Sequence, residues 1–252
     1  MTQNTQHVPG NSKTLDLGEY HEAGLYLVFP DASRLTLTPS VIAQVSRAYW
    51  ADPSKITPQT KASAEFQLCE HCPVRKLPAG NDGSHMCHAM QPLLPFIDKV
   101  DQYMSFDRVL AIYKADDQDV LYVSETTMQI ALQYIAIVCL TQYCEYGGLY
   151  LKYFKDVVPI MEVDKIASRI YLNIYWLHDG DLDRIKKAID TFTRYIAISS
   201  ECLVHRMNMI CKNDAFAHAF ANTHVVTQFF AMNMEQVLSS YFEEGTRART
   251  CL

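Results

Sequence analysis

The sequence concentrates its metal-ligating side chains in one short stretch. Of the eight cysteines in 252 residues, three lie in CEHCPVRKLPAGNDGSHMC, residues 69 to 87. Cys69 and Cys72 form a Cys-x-x-Cys pair, which brings two sulfur atoms within reach of one ion, and Cys87 follows a loop that contains Pro and Gly. Zinc prefers four ligands in a tetrahedron. The stretch therefore predicts a metal site that takes a fourth ligand from elsewhere.

Two sources are open for that fourth ligand. The second Cys-x-x-Cys of a zinc ribbon is incomplete, because position 90 is methionine. His85 and His88 flank Cys87 and would complete the set locally. Cys144 would instead come from the end of a predicted helix, where the Gly-Gly pair at 147–148 lets the backbone turn. We favour Cys144, because a ligand there would join the cysteine segment to the helical half, and we keep His88 and His85 as alternatives.

The same cysteines fit more than one chemistry. Zinc is the first prediction, and an iron–sulfur cluster is the alternative, since clusters also take thiolates and Cys72-Pro73 resembles the cluster cysteine of bacterial ferredoxins. A dithiol–disulfide switch at Cys69 and Cys72 is a third interpretation, but such a motif usually opens a helix after a strand. The remaining interpretation is that the three cysteines are free thiols in a loop. Spacing alone does not separate the two metals.

Other titratable residues give weaker indications. Cys139, Cys202 and Cys211 are predicted to be buried small hydrophobic residues of the helices. Glu201 and His205 are four apart on one helix, the spacing of an acid–base pair, although a structural pair is the simpler interpretation. The sequence contains no His-Glu-x-x-His, Walker A, nucleophile-elbow or dinucleotide-binding motif. An enzyme with a pocket between sheet and bundle is therefore only an alternative.

Composition narrows the classes of partner. The formal charge of −6 and pI near 5.8 argue against nucleic acid, whose binding requires clustered Lys and Arg. The most apolar segment, residues 128–143, contains polar residues and is too short for a membrane span. The N-terminus lacks the pattern of a secretory signal, so a cytoplasmic location is expected, in which thiols stay reduced. A protein partner or a second copy of the chain, bound through the helical half, is the expected partner.

The elements that position the cysteines are readable from hydrophobic periodicity. GLYLVFPDASRLTLTP, residues 24–39, and FDRVLAIYKADDQDVLYVSE, residues 106–125, each predict a β-hairpin. From Thr126 the period becomes helical, and four helices are predicted. The first ends near the Gly-Gly pair, the second starts near Pro159, the third is capped at Asp181 and the fourth starts at Asp214.

The predicted fold class is α+β. A small antiparallel sheet of two hairpins carries the cysteine site and packs on a C-terminal antiparallel helical bundle. The predicted organisation is a flexible tail at 1–18, a β-rich module at 19–125, the bundle at 126–244 and a second tail at 245–252.

The order of these motifs resembles an uncharacterised bacterial family, a domain of unknown function with a Cys-x-x-Cys-Pro segment. The resemblance covers residues 20 to 240: a hairpin, the Cys69-x-x-Cys72-Pro73 segment, Cys87, a second hairpin and the helix end at Cys144. It implies no activity, but it implies that Cys144 belongs with the other three cysteines. The functional prediction is a non-enzymatic zinc-binding interaction or regulatory module, with an iron–sulfur redox or sensor protein as the alternative.

Overall fold

The computed structural model describes residues 20–66, 68–70, 72–76, 86–116 and 120–230. The predicted tails at 1–18 and 245–252, the bundle residues after 230, and His85 lie outside these described residues.

A four-stranded antiparallel sheet forms one side of the fold, with strand order β2-β1-β3-β4. Its strands are β1 (Gly24–Val28), β2 (Arg34–Leu37), β3 (Arg108–Lys114) and β4 (Leu121–Thr127). Both predicted hairpins are confirmed, and β1 and β3 pair to join them into one sheet. Leu25 is opposite Leu37 and Leu27 is opposite Leu35, and all of these side chains are buried. This alternation of buried and solvent-facing residues sets the register of the hairpin.

Among the described residues, three α-helices lie between the hairpins, together with short 3₁₀ turns: α1 (Pro39–Trp50), α2 (Pro58–Glu65) and α3 (Ile97–Val100). A threonine side chain caps the start of α1 and of α2, and a proline follows it at the first helical position. Proline suits this position because its missing N–H has no partner within the helix. Helix α2 ends shortly before Cys69, so it fixes where the cysteine segment begins.

The C-terminal part is helical, as predicted, but its first helix is interrupted. It consists of α4 (Met128–Ala131), α5 (Gln133–Val138) and a π-helical turn (Cys139–Tyr143), followed by a 3₁₀ helix (Gly147–Phe154). The predicted helix start at Thr126 is wrong, because that residue still pairs in β4.

Helices α6 (Val163–Leu177), α7 (Leu182–Ile210) and α8, residues 215–230, follow and pack together. The predicted cap of α7 is confirmed, since Asp181 Oδ1 accepts hydrogen bonds from the backbone N–H groups of Asp183 and Arg184, both at 3.1 Å. The α+β fold class predicted from the sequence is therefore confirmed.

One cluster of buried side chains runs through the sheet and the helices, from Leu25 in β1 to Phe230 at the end of α8. Aromatic rings fill its centre, where Tyr150 stacks on Tyr195 with ring centroids 4.7 Å apart and contacts Phe192 at 5.5 Å. The boundary predicted between residues 125 and 126 therefore falls within β4, and the parts on its two sides share one core. Among the described residues, none of the helices combines the length and apolar character that crossing a membrane requires.

Candidate metal centre

A buried arginine fixes the end of α2, from which the cysteine segment starts. The guanidinium of Arg206, on α7, is fully buried and donates hydrogen bonds to the carbonyls of Ser63, Ala64 and Phe66. The bonds to Ala64 and Phe66 are 2.9 and 2.8 Å long. The last carbonyls of a helix have no partner within it and carry a partial negative charge, so a cation is a favourable cap.

The three cysteines of the opening stretch are positioned by backbone hydrogen bonds. Cys72 N–H donates to the carbonyl of Cys69 at 2.9 Å, which closes the Cys-x-x-Cys pair into a turn before the 3₁₀ helix Pro73–Lys76. Cys87 N–H donates to the carbonyl of Ala64, also at 2.9 Å, so Cys87 is attached to the same end of α2. The side chain of Arg75 donates to the carbonyl of Leu68.

Cys144 lies at the end of the π-helical turn. Its N–H donates to the carbonyl of Cys139 at 3.0 Å, a bond that spans five residues, and its own carbonyl accepts from the N–H groups of Gly147 and Gly148. The backbone of Cys144 leaves the helical conformation, with φ −78° and ψ 118°. Single π-helical turns are frequent at functional sites. Here the turn ends a helix at the residue predicted as the fourth ligand.

These segments meet at one cavity. Cys69, Cys72, Cys87 and Cys144 all line it, and they come from three separate parts of the chain. The remaining wall is largely apolar and includes Leu68, Val74, Ala89 and Ile198. The cavity has a volume of about 40 Å³ and is partly open to solvent. The structure thus brings together the four cysteines predicted from the sequence.

The cysteines surround this space without forming a compact ligand set. Within the described ranges, no group of three or more His, Cys, Asp or Glu side chains is arranged so that it could hold a metal ion. Four thiolates around one zinc ion at about 2.3 Å would have sulfur atoms only about 3.8 Å apart. The four cysteines therefore share a cavity, but their sulfur atoms do not form a zinc-binding tetrahedron.

The alternative ligand His88 borders the same cavity. Its Nδ1 lies 3.2 Å from Glu145 Oε1, and both residues line the cavity wall beside Cys144. His85, the other histidine named from the sequence, lies outside the described residues. Both Cys144 and His88 line the cavity, so the preference for Cys144 as fourth ligand stays a prediction. Substitution of each residue tests it.

Burial keeps most of these thiols protonated. It raises the pKa of Cys72, raises the pKa of Cys87 to about 11, and raises the pKa of Cys139 well above its ordinary value. The pKa of Cys69 is raised chiefly by a hydrogen bond to Cys202, and burial adds to this. Desolvation penalises the thiolate, and a bound cation reverses that penalty. Metal binding at this cavity would therefore release protons.

Cys202 makes a polar contact that the sequence analysis missed. It lies on α7, its sulfur accepts hydrogen bonds from Cys69 and from Arg206 Nε at 3.4 Å, and its pKa is lowered to about 6 by the Cys69 bond first and by Arg206. The prediction that Cys202 is merely a buried small hydrophobic residue is wrong. One signal was present in the sequence: Cys202 and Arg206 are four residues apart, so they share a helix face.

The pair considered for catalysis lies elsewhere. Glu201 and His205 are both exposed on α7, and the His205 ring stacks on Phe66 with centroids 4.5 Å apart. Neither residue lines the cysteine cavity. His205 instead packs beside the end of α2.

A close backbone approach holds the Cys144 segment, and it yields a testable prediction. Tyr195 OH donates to the carbonyl of Leu140 at 2.5 Å, and a Cβ on Gly147 would collide with both of these oxygen atoms. We expect Gly147→Ala to lower the free energy of unfolding by about 1–3 kcal/mol, the usual cost of overpacking, in urea denaturation. Gly148→Ala is the matched control, because its Cβ would lie 3.9 Å from the nearest atom. Equal losses in the two variants would contradict this packing argument.

Comparisons with protein-family models, with curated proteins and with solved structures give no match to this chain. The resemblance to a bacterial family stays a prediction.

Proposed function

We propose that this chain is a metalloprotein in which Cys69, Cys72, Cys87 and Cys144 hold an iron–sulfur cluster that serves in redox chemistry or sensing. The observation that supports the proposal is that these four cysteines, from three separated segments, line one cavity. Cysteine is one of the rarer residues in proteins, and unrelated structural thiols have no reason to share a wall. Four cysteines are also the usual ligand set of a cluster.

The spacing of the thiols favours a cluster over a single zinc ion. In a four-iron cluster each thiolate binds a different iron atom, so the sulfur ligands surround a body of several atoms and stay further apart than ligands of one ion. The four cysteines line one cavity, and the described side chains include no compact set for one ion. A single zinc ion that fixes the sheet module to the bundle is the second candidate, since small movements of the loop residues would close a tetrahedron.

The charges near the cavity also suit bound thiolates. Burial raises the pKa of Cys72 and of Cys87, and the positive charges of Arg75 and Arg206, respectively, act against this effect. A centre with four thiolates carries net negative charge, which nearby cations stabilise. The apolar wall limits solvent access, and burial is one of the factors that set the reduction potential of a cluster.

The proposal extends to location and partners. A cytoplasmic location fits it, because reducing conditions keep thiols available as ligands. The helical half would bind a protein partner or a second copy of the chain. This part of the proposal is supported by exposed apolar side chains at the end of α6 and the start of α7: Leu172, Trp176, Leu177 and Leu182. Trp176 is 73% exposed, which is unusual for a residue of its size.

The test is the composition of the full-length protein purified without oxygen. We expect broad visible absorption together with iron and inorganic sulfide, because sulfide-bridged iron absorbs visible light and zinc does not. A colourless protein with one zinc per chain would favour the second candidate. Incubation of metal-free protein with iron(II) and sulfide under reducing conditions is the complement. Absence of all three elements, with no uptake on incubation, would refute both candidates.

A further inference from the structure

The helix that ends at Cys144 has an unusual hydrogen-bond register. In an α-helix each backbone N–H donates to the carbonyl four residues earlier, which for Cys144 is the carbonyl of Leu140. Cys144 N–H instead donates to Cys139, five residues earlier, at 3.0 Å. The Leu140 carbonyl therefore loses the donor that an α-helix would supply, and Leu140 is only 1% exposed. A buried carbonyl without a donor costs free energy, so this register requires a donor from elsewhere.

Tyr195, on α7, supplies that donor. Its hydroxyl donates to the Leu140 carbonyl at 2.5 Å, and its side chain is buried. Burial raises the pKa of Tyr195, so the hydroxyl keeps its proton and stays a donor. The ring stacks on Tyr150 with centroids 4.7 Å apart and contacts Tyr146 at 5.2 Å. Packing therefore holds this donor against a carbonyl on one side of Cys144 and a ring on the other.

Gly147 leaves room for this bond. A Cβ at position 147 would collide with the Leu140 carbonyl oxygen and with the Tyr195 hydroxyl oxygen. Gly147 N–H also donates to the carbonyl of Cys144 at 2.9 Å, which closes the turn after the cysteine. Tyr195 and Cys144 both line the cavity. The hydroxyl, the carbonyl and the glycine thus form one contiguous arrangement around Cys144.

We infer that Tyr195 is the positioning residue of Cys144: its hydroxyl binds the Leu140 carbonyl and so holds the π-helical turn that places Cys144 on the cavity wall. Without the hydroxyl, the donor that an α-helix offers to this carbonyl is Cys144 N–H. The turn then loses its additional residue, and Cys144 rotates by about 100° about the helix axis, which is the angle per residue of an α-helix. A rotation of this size turns the thiol away from the cavity.

The consequence for metal binding rests on the proposed function. If Cys144 is the fourth ligand, Tyr195 sets the number of thiolates at the centre without contacting the metal. Cys69, Cys72 and Cys87 belong to segments beyond α2 and do not depend on this hydroxyl. Loss of the hydroxyl should therefore remove one ligand and leave three, whereas general unfolding would remove all four.

The experiment compares full-length Tyr195→Phe with the wild type, both freed of metal by a chelator under reducing conditions. Phenylalanine keeps the ring that stacks on Tyr150 and removes only the hydroxyl. A crystal structure of the variant identifies the acceptor of Cys144 N–H. We expect this acceptor to shift by one residue, from the carbonyl of Cys139 to that of Leu140, with the thiol outside the cavity.

Tyr153→Phe is the matched control. Tyr153 is another buried ring of the aromatic cluster, 5.9 Å from Tyr150, but it does not line the cavity. The hydrogen bond of Cys144 should be unchanged in this variant. An unchanged Cys144-to-Cys139 bond in Tyr195→Phe would overturn the inference, and so would the same shift in both variants.

A second measurement applies if Tyr195→Phe does not fold. NMR of isotope-labelled wild-type protein, freed of metal, detects the coupling across the hydrogen bond of Cys144 N–H and so identifies its acceptor. Coupling to the carbonyl of Cys139 would support the inference. Coupling to the carbonyl of Leu140 would overturn it, because that carbonyl would then have its α-helical donor.

Metal loading separates this inference from the proposed function. After incubation with iron(II) and sulfide, or with zinc, we expect X-ray absorption to show sulfur alone around the metal in the wild type and an oxygen or nitrogen atom in place of one sulfur in Tyr195→Phe. A register shift in a protein whose wild type takes up neither iron nor zinc would support the inference and refute the metal centre. A shell of sulfur alone in a variant with the shifted register would overturn the positioning role.

Discussion

Cys87→Ser is expected to remove the bound metal almost completely and to lower the unfolding temperature at the same time. Cys87 is attached to the end of α2 through its backbone and lines the cavity, and burial raises the pKa of its thiol, so water does not readily replace its sulfur. Ligand binding contributes directly to folding free energy, and structural zinc sites contribute about 10–16 kcal/mol in small peptides. A loss of even a third of that would lower the unfolding temperature by about 10 °C or more.

The measurement is metal per chain by elemental analysis, together with thermal unfolding, for serine variants at Cys69, Cys72, Cys87 and Cys144. Cys211→Ser is the matched control: burial raises the pKa of its thiol to about 12, yet it does not line the cavity. His88→Ala completes the set. Full metal content in Cys144→Ser with a loss in His88→Ala would assign the fourth ligand to the histidine. Full metal content in Cys87→Ser would contradict the proposed centre.

Arg206→Met is expected to destabilise the protein by about 3–5 kcal/mol, because it removes the hydrogen bonds that one buried charged donor makes to three carbonyls, and such bonds contribute about 1.5–3 kcal/mol each. The partners are the carbonyls of Ser63, Ala64 and Phe66, which lose this charged donor, although Ser63 and Ala64 keep a backbone N–H donor each. Methionine fills much of the same volume, so the loss reports the hydrogen bonds more than a cavity. Since Cys87 is bonded to the Ala64 carbonyl, we also expect weaker metal retention.

Denaturant unfolding of the metal-free form isolates the structural part of this effect. Arg184→Met is the control, since Arg184 is 70% exposed and pairs with the partly exposed Asp181 at 3.3 Å. Exposed ion pairs contribute at most about 1 kcal/mol. Arg206→Met should therefore exceed Arg184→Met several-fold. Similar small losses in the two variants would mean that the end of α2 does not depend on the buried guanidinium.

The parts of the fold that the sequence predicts well are those with a strong local pattern. The hairpins follow from strict alternation, in which Leu25 and Leu27 face the core, and α7 follows from a long apolar stripe after an Asp181 cap. The break before Cys144 is different. Residues 128 to 143 are apolar nearly throughout, and such a run does not indicate where the hydrogen bonds shift from four-residue to five-residue spacing.

The residues of the candidate site likewise divide into those that the sequence predicts and those that it does not. Cys69 and Cys72 are close in sequence, so their proximity in space was expected, and Cys144 was chosen for joining two parts of the chain. Cys202 and Arg206 were missed because their partners, at the end of α2, are more than 130 positions away in sequence. A charged residue is normally assigned to the surface, and only the folded packing shows that the α2 carbonyls require this one.

The central claim is that four cysteine sulfur atoms bind one metal centre, and X-ray absorption at the metal edge tests it most directly. The measurement uses full-length protein purified without oxygen and reports the atoms next to the metal. We expect a first shell of sulfur alone, with iron neighbours at longer distance if the centre is a cluster, or four sulfur atoms at about 2.3 Å if it is zinc. A first shell dominated by oxygen or nitrogen atoms would contradict the account.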